Sequence, residues 1–457
     1  MSTLVGDFQA FLDSSQVTTN ETVLELHSKD ESYHTPVNPE IVVFPRNADE
    51  ISKIMQVAKK HDRPVYPFGL GSSLEGLVIP TSDGICIDFS EMNAILDVRE
   101  DDMLVTVQPG VTRTQLNKEL KKYGLFFSVD PGADATIGGM AATNASGTSS
   151  VRYGIMRDKV RDLEVVLADG SIIHTGNRAA KSSSGYHLNG LFVGSEGTLG
   201  CFSEITLEVN GIPEQIVAGR AEFSTIDDAV NAVVSILHAG IPIARCELVD
   251  EPSIEKVNQF SDTNYALTPT LFLELHGNEA GLEQDLTFTK EIVRDFGCEE
   301  IEFELDTAAR NKLWEARHTL AYAFTHSTPG KKMMVTDVCV PISSLASAIK
   351  HARQLVDDSG FEGGIAGHVG DGNYHILLMI NPEDPEDIRK AQALNEEIVE
   401  FALEAGGTCT GSHGVGIGKQ KYQKKEHGEA FFVMEKIKQA LDPDSRLNPM
   451  KLIQVKE

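Results

Sequence analysis

Apolar positions in the first half of the chain fall into short clusters, separated by amphipathic helical stretches. Residues 41–45 (IVVFP) read as a buried strand ended by proline. Asn47 and Glu50 make a capping-box pattern for a helix over 49–61, where Ile51, Ile54, Met55 and Ala58 share one face. Residues 3–18 carry a short helical pattern. Strand patterns follow at 65–68, 85–88 and 103–107, then a helix over 114–123 closed by Gly124. A strand over 163–167 with the turn Ala168–Asp169–Gly170 predicts a hairpin, and a strand at 205–209 ends this region.

Beyond Pro213 and Glu214 the rhythm changes to strand–helix–strand. Strands at 217–223, 243–248, 270–275 and 300–303 alternate with helices over 226–239, 253–260 and 282–296. Thr225 caps the first of these helices and Gly240 closes it. This spells two βαβ-like halves of an antiparallel, ferredoxin-like layer. A helix over 307–324, a strand over 333–340, a helix over 344–358 and a hairpin around 365–381 extend it. The expected class is α+β, with domains over 1–213 and 214–405 and a segment 406–457, holding a helix near 429–440, that returns to the first.

Three stretches break the apolar pattern with small residues. The longest, 131–158 (PGADATIGGMAATNASGTSSVRYGIMRD), is almost free of bulky aliphatic side chains. A segment so poor in packing atoms is costly to order, and close backbone approach to a flat polar ligand repays that cost. Residues 69–76 (GLGSSLEG) follow a strand, as in a phosphate cradle. They lack both the GxGxxG spacing and the terminal Lys-Ser/Thr of the nucleotide loops. Residues 190–200 (GLFVGSEGTLG) precede the strand at 205–209. One extended ligand touched by all three explains them better than three unrelated loops.

Composition narrows the classes. The 457 residues suffice for two or three domains, and 41% hydrophobic with 24% charged residues reads as a soluble globular chain. Lys and Arg number 40 against 68 Asp and Glu, a net charge of -28 that argues against nucleic acid or an anionic membrane as partner. Six scattered cysteines without a CxxC pair point to a reducing compartment, expected to be the cytoplasm, with peripheral membrane association open. The N-terminal residues lack the pattern of a targeting peptide, and no apolar run is long enough to span a bilayer.

At this point a resemblance is clear. GLGSSLEG, DPGADATIGGMAATNASG, the RYG of Arg152–Gly154 and GSEGTLG occur in the order found in the PCMH-type FAD-binding domain of the vanillyl-alcohol oxidase superfamily. The resemblance implies a two-subdomain FAD-binding domain, with its core over 37–213, and an antiparallel cap. It places the pyrophosphate on the 69–75 loop, with Gly69, Gly71, Ser72, Ser73 and Glu75, and counts Pro67 and Asn448 among the cofactor-binding residues. It places the isoalloxazine and ribityl chain on Pro131, Gly132, Thr136, Gly138, Gly139, Thr143, Asn144, Ser146, Gly147, Tyr153 and Gly154, and on Glu196 and Leu199 of the 194–200 loop. The 69–76 loop has neither His nor Cys, so FAD is expected to be non-covalent.

Three further motifs carry chemistry. In GHVGDGNYH, Asp371–Gly372 is a two-residue hairpin signal that would set His368 directly opposite His375. Two imidazoles so placed suit one divalent metal, or are a pair of surface histidines. In LWEARHTL, Leu313, Trp314, Arg317 and Leu320 recur at helical spacing. An inward Arg317 needs an anion, either a ligand carboxylate or a protein one such as Glu315 or Asp337. In GSHGVGIGK, His413 sits between small residues, as a base or as a hydrogen-bonding group for flavin or substrate.

The chain is similar here to the D-lactate/glycolate/D-2-hydroxyglutarate dehydrogenase branch of this flavin family. That likeness implies Arg317 on the substrate carboxylate, His413 as the base, and Zn or Mn on His368 and His375, with His318 and Asp337 nearby. The branch usually has Glu as third metal ligand where this chain has Ser412, a poorer ligand. Its 2-hydroxyglutarate-preferring members usually have Lys and Asn at the positions of Val335 and Leu377. The implied activity is FAD-dependent oxidation of a small 2-hydroxy acid, D-lactate to pyruvate first, with a quinone, cytochrome or carrier protein as electron acceptor. The alternatives are a glycolate dehydrogenase subunit and a catalytically impaired flavin-binding subunit. The expected assembly is a homodimer or a subunit of a complex.

Overall fold

The computed structural model describes residues 3–299 and 301–453. Glu300, which opens the strand expected at 300–303, lies outside the described residues. The chain forms two compact units. The first holds the chain up to Ser146, Ile155–Ile212 and everything from Ser412 on; the second holds Gly147–Gly154 and Pro213–Gly411. The third segment, expected from 406, thus begins at Ser412, and the end of the long small-residue stretch belongs with the second unit.

The first unit has two sheets. In one, Ile41–Val43, Ile85–Asp88 and Val65–Phe68 run parallel, and Val17–Thr18 adds an antiparallel edge. The Ala48–Lys60 helix covers this sheet with fully buried Ile51, Ile54, Met55 and Ala58. Asn47 caps it by accepting the Glu50 N–H, and Asn47 Nδ2 donates to the Glu50 carboxylate. The helical pattern at 3–18 yields only Leu4–Gln9, because Asp13 and Gln16 form their own capped turn before Val17 enters the sheet.

The second sheet is antiparallel, in the order Ile95–Arg99, Leu104–Val107, Cys201–Glu208, Val160–Val166 and Ile172–His174. The Ile95–Arg99 strand was not expected: Asp97 and Arg99 pair with each other at 2.7 Å on a half-buried edge, so its apolar signal is weak. The small-residue stretch is helical at Ile137–Thr143, Ser150–Tyr153 and Met156–Lys159, where a loop was expected. Thr136 caps the first of these turns by accepting the Gly139 N–H.

The second unit is built on one antiparallel sheet. Its order is Glu302–Glu304, Gln215–Glu222, Thr270–Gly277, Ile243–Val249, Glu362–His368, Asn373–Ile380 and Lys332–Val335, and Val338–Cys339 also pairs with Asn373–Ile380. The strand expected at 333–340 is broken between Val335 and Val338, which buries Asp337 completely. The helix expected over 307–324 is broken at Thr319 into Thr307–His318 and Leu320–Ser327. A helix at Pro385–Glu404 had not been read from the sequence. Among the described residues no helix is long and apolar enough to cross a membrane.

Candidate active site

In the first unit the three small-residue loops meet. A Cβ on Gly69 would lie 2.7 Å from Thr136 Oγ1, and one on Gly197 would lie 2.9 Å from Pro67. The Gly194 and Glu196 N–H groups donate to the carbonyls of Ala141 and Ala142 at 2.9 and 2.8 Å. A side chain at 69 or 197 would overlap Thr136 or Pro67, so these two positions favour glycine. Among the described residues the N–H groups of Gly69 to Ser73 meet no acceptor in the chain, and Gly71 has φ +64°. Successive unsatisfied N–H groups on a half-buried turn form an anion-binding concavity. Ser195 Oγ and Asn448 Oδ1 are also buried without a partner among the described residues. Orphaned polar atoms beside a glycine-cleared cradle fit a large polar cofactor such as FAD.

The loop bearing His413 is fastened to two of these loops through its backbone. Val415 and Gly416 donate to the Glu196 carboxylate at 2.6 and 2.9 Å, and Ile417 donates to the Glu75 carbonyl at 2.9 Å. The Glu196 side chain, expected on the flavin, thus engages the 415–416 backbone. Asn448 Nδ2 donates to the Glu196 carbonyl at 2.7 Å, and Lys419 lies 3.2 Å from the Glu75 carboxylate. Burial pushes the Glu196 carboxyl up to about 7, against the opposing pull of these N–H donors and of Lys451 and Lys419.

A raised carboxyl pKa means that the folded state holds the proton longer than the unfolded chain does. Stability from Glu196 is therefore complete below about pH 4.5 and is lost as the pH rises through about 7. The Glu196→Gln variant should abolish that slope. Denaturant melts from pH 4.5 to 8 should show the wild type losing about 3 kcal/mol relative to the variant; parallel pH profiles would refute the assignment.

The second unit gathers the other predicted groups on one face of its sheet. Arg317 donates from an Nη to Glu247 Oε2 at 2.8 Å, and His368 Nδ1 lies 2.6 Å from Glu247 Oε1. Arg317's protein partner is thus Glu247, neither Glu315 nor Asp337. Arg317 Nε is buried with no partner among the described residues. Glu247 is fully buried, and burial alone would raise its pKa; the charges of His368 and Arg317 and their hydrogen bonds outweigh this and hold it below the usual value. Burial opposes a charged His368, yet Glu247 lifts its pKa above the ordinary imidazole value.

The hairpin register differs from expectation by two residues. His375 opposes Ala366, so it does not face His368 directly. Asp371 N–H closes a turn onto the His368 carbonyl at 3.0 Å, and Gly372 takes φ +81°, so the loop is wider than Asp371–Gly372. A slip of two keeps both histidines on one face, and their ring centroids are 5.4 Å apart. His375 Nδ1 lies 3.3 Å from the Thr336 carbonyl and 3.5 Å from Asp337 Oδ1. Asp337 also accepts from Asn373 Nδ2 and Thr410 Oγ1, at 2.8 and 2.9 Å. Val335 and Leu377 are cross-strand partners, so the two apolar substitutions lie side by side.

Gly147, Tyr153 and Gly154, expected on the flavin, belong to the second unit. The Tyr153 hydroxyl is 2.7 Å from His276 Nδ1, His276 Nε2 is 2.8 Å from Glu274 Oε1, and Trp314 Nε1 donates to Glu274 Oε2 at 2.6 Å. Glu247, Glu274 and His276 were not singled out from the sequence. The available signal was the spacing: Arg245 and Glu247, like Glu274 and His276, are polar pairs two apart inside apolar strands, and so share a face.

A glycine cradle for a large polar cofactor fits the class of flavin-dependent oxidoreductases. Sequence comparison agrees. Residues 39–176 match the "FAD binding domain" family, and residues 212–452 match "FAD linked oxidases, C-terminal domain". The chain belongs to the FAD-linked oxidase family.

It is 43% identical to a probable mitochondrial D-lactate dehydrogenase of Danio rerio, over 99% of this chain and 92% of that protein. It is 40% identical to the mitochondrial D-lactate dehydrogenase [cytochrome] of Arabidopsis thaliana, over 98% of this chain and 80% of that protein. It is 34% identical to the glycolate oxidase subunit GlcD of Bacillus subtilis, over 91% and 89%. Among solved structures, p-cresol methylhydroxylase with substrate bound shares the fold, with a TM-score of 0.83 at 16% identity over 99% of this chain and 97% of that one.

Proposed function

We propose that the protein oxidises a small 2-hydroxy acid, D-lactate in the first place, to the 2-keto acid, and passes the electrons to a cytochrome or quinone. The observation that carries this reading is Arg317: a guanidinium aimed by a buried carboxylate, with a second donor edge unspent. Such a fork suits a substrate carboxylate. The apolar pair Val335 and Leu377 offers nothing to a second carboxylate and leaves room for a methyl group. The names of the Danio rerio and Arabidopsis thaliana relatives point the same way.

Arg317 binds and orients the carboxylate. His413 takes the hydroxyl proton as the Cα–H bond breaks, from a loop whose backbone is fixed at 415–418. FAD, non-covalently bound, supplies the two-electron acceptor for the hydride leaving Cα. His368 and His375 would hold a divalent metal, whose chemistry there would be to polarise the hydroxyl. His368 fits this role, because its Nδ1 is engaged by Glu247 and Nε2 is left for a ligand. The compartment is proposed to be a reducing one, where the free cysteines persist.

Anaerobic mixing of the purified holoprotein with a panel of D- and L-2-hydroxy acids tests the reading. D-lactate should bleach the flavin band fastest. No bleaching by any of them would overturn the proposal in favour of a flavin-binding role, and glycolate alone would point to the GlcD-like activity. In the Ser412→Glu variant, Zn²⁺ retained after dialysis should rise, because a carboxylate replaces a neutral hydroxyl. Unchanged metal content and rate would refute the third-ligand role of this position.

A further inference from the structure

We infer that Glu247 is a positioning residue that sets two groups at once: the aim of the Arg317 fork and the ring proton of His368. It sits at the middle of a central strand with no exposed surface. Each carboxylate oxygen has a separate duty, Oε2 accepting from Arg317 and Oε1 facing His368 Nδ1. A guanidinium can only donate, so Oε2 is committed to Arg317. An ionised carboxylate can only accept, so the neutral imidazole must carry its proton on Nδ1 and present the Nε2 lone pair. Asp371 is the other carboxylate close enough to act electrostatically on His368, but Nδ1 is already engaged by Glu247 at 2.6 Å.

The consequence is a coupling inside one side chain. The group that binds the substrate carboxylate and the group that would bind a metal share one anchor, and neither can turn without the other. This rests on the hydroxyacid reading only for what Arg317 receives.

The Glu247→Gln variant separates the two duties. Its amide has one accepting oxygen, and Arg317 must take it, because guanidinium does not give up a proton. The amide NH₂ then faces His368 and forces the proton from Nδ1 to Nε2. The experiment is ¹⁵N NMR of histidine-labelled, metal-stripped protein at alkaline pH, where the ring is neutral, with a His368→Asn variant assigning the signal. The wild type should show the Nδ1–H tautomer and Glu247→Gln the Nε2–H tautomer. The KM for the 2-hydroxy acid that reduces the flavin should change far less than in Arg317→Lys. A wild-type ring protonated on Nε2 would overturn the inference, even if the variant fails to fold. So would an unchanged tautomer in Glu247→Gln. Failure of D-lactate to bleach the flavin would sink the substrate reading and leave the tautomer result standing.

Discussion

Replacing His413 by glutamine should lower kcat for D-lactate by about 10²–10⁴-fold, the range for loss of a positioned general base. Flavin content should hold, because the loop is tied down by backbone N–H groups of Val415, Gly416 and Ile417. kcat and kcat/KM should fall together, as expected when the lost interaction exists only in the transition state. Steady-state kinetics with an artificial acceptor, beside the flavin spectrum, make the measurement. A loss below about tenfold at full flavin loading would remove His413 from the role of base.

The second large effect is at Arg317. Arg317→Lys keeps a cation for Glu247 but loses the planar fork. The kcat/KM for D-lactate should drop by about 2–5 kcal/mol, roughly 30- to several thousand-fold, with KM carrying most of it. Arg317→Ala should in addition cost about 3–5 kcal/mol of stability, because it strips a buried carboxylate of its cation. Thermal melts and KM together separate the two. An unchanged KM in Arg317→Lys would mean that the guanidinium serves Glu247 alone.

Most of the architecture could be read from local pattern. The Ala48–Lys60 helix carries its cap and its apolar face within a few residues, and the strand–helix alternation after Pro213 is equally local. What escaped was set by distant partners. Ile95–Arg99 is a strand because Leu104–Val107 lies beside it, not because its own residues alternate. The hairpin register depends on where Asp371 closes its turn, and that moved His375 from His368 to Ala366. The motifs named Arg317, His368, His375 and His413, whereas Glu247 was hidden as one acid in an apolar strand. Its meaning appears only when the Glu362–His368 strand and the Thr307–His318 helix are brought beside it.

The first unit is discontinuous in the chain. Glu196 and Glu75 receive their hydrogen bonds from residues 415–418, and the buried Lys451 donates to the Ile79 carbonyl at 2.5 Å. During synthesis the inserted unit up to Gly411 can therefore finish folding while the cofactor unit still waits for its last strip of chain. Until that strip leaves the ribosome, buried carbonyls and a carboxylate in the cradle lack their donors. Completion of the cofactor unit is thus tied to residues 412–451, which lie beyond the whole of the inserted unit in the chain.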